Sequence, residues 1–329
     1  MKSIDVGRYL LRNCLALAML AGCGGSQPPI CAAGAMPQSR AIATHAERGG
    51  SRVLPEAKSE DLIYVLAPRK DYILSHSTGA VKATFTGPPL GGFALCSDNS
   101  GDVFIPGNEE IWEYKHGGTI PIKKLKDSGY RGVGCSVDPT TGNLAVVNEE
   151  ASTGSAAGNV AIFSKATGKP EFLEDDIITT YLSCGYDNVG NLFLDGSSHS
   201  APFLLAELPA ASSSFANLTF NEPVKDGGAV QWDGQNLAIG ANGARLIYRV
   251  TVTGSTATLV GQTRLDTLKN ANLTFWVQGG NVLTASGATH KKVGLWPYPR
   301  GGKPVKQYGP ISHGSGRLGG MTVSVAPSR

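Results

Sequence analysis

The sequence predicts an all-β chain wound into a six-bladed propeller, and three observations carry that expectation. A turn cassette recurs at near-constant spacing, each copy lies between two apolar runs, and the two chain ends read as complementary fragments of one more unit. The cassette reads Ser97-Asp98-Asn99-Ser100-Gly101-Asp102, then Val137-Asp138-Pro139-Thr140-Thr141-Gly142-Asn143, then Tyr186-Asp187-Asn188-Val189-Gly190-Asn191. Looser copies are Trp232-Asp233-Gly234-Gln235-Asn236 and Val277-Gln278-Gly279-Gly280-Asn281. Aligned on Asp102, Asn143, Asn191, Asn236 and Asn281, the steps are 41, 48, 45 and 45 residues. A period of about 40–50 residues with strand–turn–strand chemistry inside each unit is the signature of radially repeated four-stranded sheets. Glycine at 43 of 329 positions, few charges and little helical periodicity agree with an all-β chain.

Each cassette is expected to form the hairpin between the first and second strands of a blade. Asp, Asn and Ser bend the chain by hydrogen-bonding nearby backbone, and Gly tolerates positive φ. The Val- and Leu-rich runs that follow suit strands packed on both faces. The repeated aspartates are therefore read as turn builders, with a ring of metal ligands or catalytic carboxylates as the competing reading. After the cassette at Asp138 the remaining strands of the blade fall at 143–148, 159–165 and 169–173. The same order appears at 102–107, 111–115 and 120–125, at 236–240, 246–253 and 256–265, and at 281–285, 292–297 and 303–308. The N-terminal unit has strands at 61–66, 72–77 and 80–85 but lacks an inner strand. The C-terminal Gly319-Gly320-Met321-Thr322-Val323 has one and nothing after it, and it matches Gly227-Gly228-Ala229-Val230-Gln231. Joined, the two fragments complete a sixth blade and remove exposed sheet edges.

Three regions follow: residues 1–23 as a lipoprotein signal peptide, 24–58 as a flexible tether and 59–329 as the propeller. Lys2, Arg8 and Arg12 precede a short apolar run at 14–20, too short to span a bilayer but suited to a signal-peptide core. It ends in Leu20-Ala21-Gly22-Cys23, which resembles the bacterial lipobox. The resemblance implies cleavage before Cys23 and lipid attachment at its thiol. Gly24 rather than Asp after it implies transport to an outer membrane where the host has one. An ordinary secretory signal with an incidental cysteine is the alternative. Two or more acyl chains anchor a protein stably. From Gly24 to about Lys58 the composition cannot bury enough apolar surface to offset ordering entropy.

The net charge of +3 is small and the cations are scattered. Lys123, Lys124 and Lys126 read as a solvated strand face, and no basic stripe with interleaved aromatics points to nucleic acid. Cys96, Cys135 and Cys184 each fall two or three residues before a cassette aspartate, on expected inner strands. Small apolar packing is their expected role, with a Cys135–Cys184 bridge or a buried thiol site as alternatives. No Cys or His pairs stand at metal-binding spacing.

On its repeat period and its Asp-x-x-Gly-Asn-hydrophobic turn, the segment 59–329 resembles the six-bladed propellers of the NHL and gluconolactonase-like superfamily. That resemblance implies a fold more than an activity, since propellers host many functions. In such a ring, loops entering the inner strands and loops joining second to third strands share one face. Here these loops carry Asn108, Glu109 and Glu110, then Asn148, Glu149 and Glu150, then His199, Asn242 and His290, with Arg131 and His313 on entering loops. The repeated Asn-Glu-Glu could hold Ca²⁺ through oxygen ligands or meet a basic partner; solvated turn chemistry is the alternative. His76 and His116 fall at turns on the opposite face and read as surface decoration. Gluconolactonase-like relatives use a Glu, Asn and Asp set on a channel metal, and the inner strands here offer no equivalent. Nor does a Gly-x-Ser-x-Gly elbow occur. The expected function is a lipid-anchored, non-enzymatic binding or scaffold module at the bacterial cell envelope. It is expected to be a monomer without a required cofactor, engaging an envelope protein, a peptide or a glycan. A metal-dependent lactonase-like hydrolase is the alternative.

Overall fold

The computed structural model describes residues 53–54, 59–89, 94–129, 131–149, 157–224, 227–241, 243–268, 274–285, 291–311 and 318–327. The first strands are β1 (Leu62–Val65), β2 (Asp71–Ser75) and β3 (Val81–Phe85). Blade 2 follows with β4 (Cys96–Ser97), β5 (Val103–Pro106), β6 (Glu110–Tyr114) and β7 (Lys123–Lys126). Blade 3 holds β8 (Gly132–Val137), β9 (Leu144–Asn148), β10 (Asn159–Phe163) and β11 (Glu171–Leu173). Blade 4 holds β12 (Thr180–Tyr186), β13 (Leu192–Ser197), β14 (Leu204–Leu208) and β15 (Ala216–Asn217). Next come β16 (Thr219–Phe220), β17 (Val230–Trp232), β18 (Leu237–Ala241), β19 (Leu246–Thr253) and β20 (Thr256–Arg264), all in blade 5. Blade 6 is β21 (Phe275–Gln278), β22 (Asn281–Ala285), β23 (Val293–Pro297) and β24 (Lys306–Tyr308). The last strand, β25 (Met321–Ser324), pairs antiparallel with β1 from Leu62↔Ser324 to Val65↔Met321, and so completes blade 1. The six sheets and the shared blade agree with the sequence reading.

One departure lies in blade 5. There β16 pairs parallel with β20 and adds a fifth, outermost strand. The connection from blade 4 to blade 5 thus covers an edge that would otherwise present unpaired N–H and C=O groups.

Why the strand sequences are apolar at nearly every position becomes clear from the core. Alternate side chains of a strand point to opposite faces, and in this ring both faces meet a neighbouring blade. Val103 and Ile105 of β5 pack toward Tyr64 and Phe85 of blade 1, whereas Phe104 packs toward Leu144 and Val146 of blade 3. In β9, Ala145 and Val147 turn the other way, onto Leu192 and Leu194 of blade 4. The hydrophobic core is therefore six wedges, one between each pair of adjacent blades.

Inner strands carry a second set of inter-blade contacts, made by their polar side chains. Ser97 Oγ donates to the Val323 carbonyl at 2.8 Å. Ser136 Oγ accepts from the Tyr186 N–H at 3.0 Å, and Ser183 Oγ from the Val230 N–H at 3.1 Å. Gln231 Oε1 accepts from the Val277 N–H at 2.7 Å while its Nε2 donates to the Val277 carbonyl at 3.3 Å. Gln278 Nε2 donates to Asp61 Oδ2 at 2.9 Å, linking blade 6 to blade 1.

Between blades 2 and 3 the link is covalent. Cys96 and Cys135 form a disulfide across 39 residues of chain, and Cys184 is a buried free thiol. This corrects the packing role expected for the first two cysteines, and the alternative pairing of Cys135 with Cys184. All three do lie on inner strands, but sequence position could not tell which two neighbours face each other. His116 also differs from expectation. It is buried, and its Nδ1 meets Ser324 Oγ at 2.6 Å, so it latches the closing strand instead of decorating the surface.

Two stability outcomes are expected. Gln231→Leu removes both partners of Val277 and should cost about 1–3 kcal/mol, read as a lower urea midpoint at unchanged slope; an unchanged midpoint would deny the stitch any weight. Cys135→Ser releases a loop of 39 residues and should cost about 4 kcal/mol on chain-entropy grounds. Non-reducing peptide mapping must show the Cys96–Cys135 pair, and any other pairing would refute the assignment.

Candidate functional site

The cassette aspartates occupy one end of the ring, and their side chains are spent on local backbone. Asp98 Oδ1 accepts from the N–H groups of Ser100 and Asp102 at 2.9 and 2.8 Å. Asp187 Oδ1 accepts from Val189 and Asn191, and Asp233 Oδ1 from Gln235 and Asn236. Asp138 takes Thr140 N–H at 2.8 Å plus two threonine hydroxyls. The glycine that follows in each turn, such as Gly101 at φ +82° or Gly190 at +95°, supplies the left-handed backbone the bend needs. These are turn builders.

At the opposite end lie the loops between second and third strands and the loops that enter inner strands. Here the two Asn-Glu-Glu segments adopt different roles. Glu109 sits at φ +59°, its carbonyl accepting the Asp127 N–H at 2.8 Å and its side chain exposed; Asn108 beside it is half-buried. Glu110 opens β6, accepts the Trp112 Nε1–H at 2.8 Å and lies 3.9 Å from the Lys124 ammonium. Asn148 ends β9 fully buried, donating to Asn159 Oδ1 at 2.9 Å and to Asp127 Oδ1 at 3.4 Å. Glu149 forms an ion pair with Arg131 at 2.8 Å, and its N–H donates to the Arg131 carbonyl at 3.0 Å. His199 is exposed in the loop between β13 and β14. Cys23, Glu150, Asn242, His290 and His313 lie outside the described residues. Among the described residues no group of three or more His, Cys, Asp or Glu side chains stands as a metal-ligand set, and no helix is long and apolar enough to cross a membrane.

Sequence reasoning missed a second aspartate set, buried beneath this loop face. Asp71 takes the Ala67 N–H at 3.0 Å on one oxygen and the Gly87 N–H at 2.8 Å on the other. Asp127 takes the Gly129 N–H at 2.9 Å, and Asp175 takes those of Ile177 and Ile178 at 2.8 and 2.7 Å. Fully buried Asp195 takes the Gly228 N–H at 2.9 Å. Desolvation pushes Asp71 up, Asp127 up to about 6 and Asp195 well above the ordinary carboxylate range, against the pull of these N–H donors. One signal could have found Asp195. Four residues after the cassette's last position the blades carry Val65, Pro106, Val147, Asp195, Gly240 and Ala285, a single acid among apolar or small residues.

A cleft of about 440 Å³ opens on the same face between blades 1 and 2. Arg69 and Lys70 come from the loop after β1, Pro88 and Pro89 from the loop after β3, and Ile105 and Trp112 from blade 2. Asp71 holds the first two loops together from below, and the Tyr114 hydroxyl donates to the Thr86 carbonyl at 3.0 Å.

With the geometry in hand, comparison with known proteins shows the class. No family model matches the chain, and no curated protein sequence matches it significantly. Among solved structures it is similar to a chain in a nidogen/laminin complex, at TM-score 0.63 and 13% identity over 82% of this chain and 100% of that one. It is also similar to a protein of unknown function from Bacteroides caccae, at TM-score 0.57 and 12% identity over 81% of this chain and 99% of that one. The protein is a six-bladed β-propeller. At these identities the likeness is one of fold.

Asp127 gives a pH test of the buried set. Its folded pKa, near 6, exceeds the unfolded value near 3.8, so its favourable contribution is full below about pH 4 and is lost as pH rises through 6. Asp127→Asn cannot titrate. Its stability relative to wild type should therefore rise between pH 4 and 7 in chemical denaturation, and a flat or falling difference would contradict the raised value.

Proposed function

We propose that the protein is a non-enzymatic binding propeller of NHL-like kind, lipid-anchored through Cys23 at the bacterial cell envelope, whose loop face engages another macromolecule. The observation that carries this reading is the cleft at blades 1 and 2. Its walls are loops fixed from below by buried Asp71, with charged and aromatic side chains at the lip. Variable loops on a rigid scaffold are where recognition residues concentrate, and a pre-fixed loop loses little entropy on binding. A similar propeller was crystallised in a nidogen/laminin complex, so the shared fold is compatible with a place in a protein assembly.

Crosslinking capture from envelope fractions tests the reading. Joint replacement of Glu109, Glu110, Glu149 and Glu150 by Gln should reduce partner capture while leaving the thermal midpoint nearly unchanged. Undiminished capture would remove the Asn-Glu-Glu loops from the binding surface, and calcium-dependent turnover of a lactone panel would replace binding with hydrolysis. Cys23→Ser should shift the protein from membrane to soluble fractions. Unchanged membrane association would refute the anchor.

A further inference from the structure

We propose that the cleft between blades 1 and 2 is the seat of an acidic peptide segment carried by the partner, an inference that rests on reading the loop face as the binding face. Charge makes the first argument. Arg69 and Lys70 are adjacent and exposed at the cleft lip, and among the described residues neither side chain has an ion-pair or hydrogen-bonding partner. Elsewhere in blades 1 to 3, Lys82, Lys115, Lys123, Lys124 and Arg131 are ion-paired. Lys126, Lys165 and Lys169 have no ion pair among the described residues, but none of them lines a cleft beside a second cation. Two neighbouring cations without partners suit carboxylates, which a guanidinium and an ammonium bind by charge-assisted hydrogen bonds.

Exposed Glu109 on the next loop does not line the cleft, and the two acids that touch its lining are engaged. Asp71 is buried with both oxygens accepting backbone N–H groups. Glu110 accepts from Trp112 and faces the Lys124 ammonium.

The wall suits a peptide segment. Pro88, Pro89, Ile105 and Trp112 form it, and the indole N–H is already engaged by Glu110. The Lys124 ammonium covers one indole face at 3.9 Å from the ring centroid, and Pro88 and Ile105 are buried, so Pro89 and the rest of the indole leave a narrow apolar surface for a prolyl side chain standing between acids. The volume of about 440 Å³ lies within the range of ligand sites and takes a few residues of an extended segment, not a folded domain.

The test is calorimetric titration of the purified protein with a capped hexapeptide of alternating glutamate and proline. Its glutamine counterpart and trigalacturonate serve as comparison probes. The acidic peptide should bind saturably, more weakly as salt rises, and at least about tenfold more tightly than the glutamine version. Arg69→Glu with Lys70→Glu should abolish that binding at an unchanged thermal midpoint, while Lys165→Glu with Lys169→Glu, on the cassette face, should leave it intact. No saturable binding, or binding that survives the Arg69 and Lys70 reversal, overturns the proposal. Tighter binding of trigalacturonate overturns the peptide assignment in favour of an acidic glycan. Envelope capture separates the two levels. Capture that persists in the Arg69 and Lys70 variant refutes the cleft as the partner's seat but leaves the binding function standing, and failure of capture by the wild type removes the function itself.

Discussion

The free edge of the inner strands is the constraint on which this ring depends. Around the axis each inner strand is paired within its sheet on one side only, and its other N–H and C=O groups are left to the neighbouring blades or to solvent. A buried backbone group without a partner costs about as much as a lost hydrogen bond. The solution here is lateral: Ser97, Ser136, Ser183 and Gln231 each reach a main-chain group on the adjoining inner strand. Where blades 2 and 3 meet, the disulfide of Cys96 and Cys135 takes over. Satisfying the edge and positioning the next blade are thus one act. The closing contact is Gln278 on Asp61, which ties blade 6 to the residue that precedes β1.

Aspartate solves two different problems at the two ends of this ring. At the cassette end it makes tight turns, where a carboxylate two residues upstream accepts the N–H groups that a bend turns inward. At the loop end it stands below longer connections whose N–H groups point into the protein and have no strand partner. Asp71, Asp127 and Asp195 supply acceptors there at the cost of burying a carboxylate, a cost that Asp98 also meets at the cassette end, and desolvation pushes all four upward against their N–H donors. The return is geometric, because loops tied from beneath hold their side chains in one arrangement.

What could be read from the sequence divides along the same line. Turn chemistry and strand pattern are local, so the period, the six blades and the shared closure were visible from Asp98, Asp138, Asp187 and their glycines. Even strand ends came close: 246–253 and 281–285 coincide with β19 and β22. The lateral contacts were invisible because they join residues 39 to 50 apart, or more than 200 apart at the ring's closure, whose facing depends on the rotation of one blade against the next. Cys96 and Cys135 looked like two more packing positions for that reason. Asn148 was misleading in another way: in sequence it opens a polar Asn-Glu-Glu loop, but as the last residue of β9 its side chain turns inward to Asn159 and Asp127. Arg69 and Lys70 looked like scattered charge, since the surfaces they face, Pro88 and Trp112, belong to other segments.

A repeat protein carries its own internal comparison, and in this chain the departures are more instructive than the matches. Six structurally equivalent positions that serve only the fold should drift toward the same apolar choice, because each meets the same two neighbours. Asp195 breaks that rule among Val65, Pro106, Val147, Gly240 and Ala285, and its carboxylate takes the Gly228 N–H where the chain enters blade 5. The same logic applies to the connection after the second strand of a blade. Blade 2 places Asn108 and Glu109 there, whereas blade 1 places Arg69 and Lys70. Adjacent, equivalent loops of opposite charge do nothing for a symmetric core, which packs well below them. They give the loop face a direction around the ring, basic on one side of a cleft and acidic beyond it. A partner bound there would be held in one orientation out of six, and that selection is a property no single blade could supply.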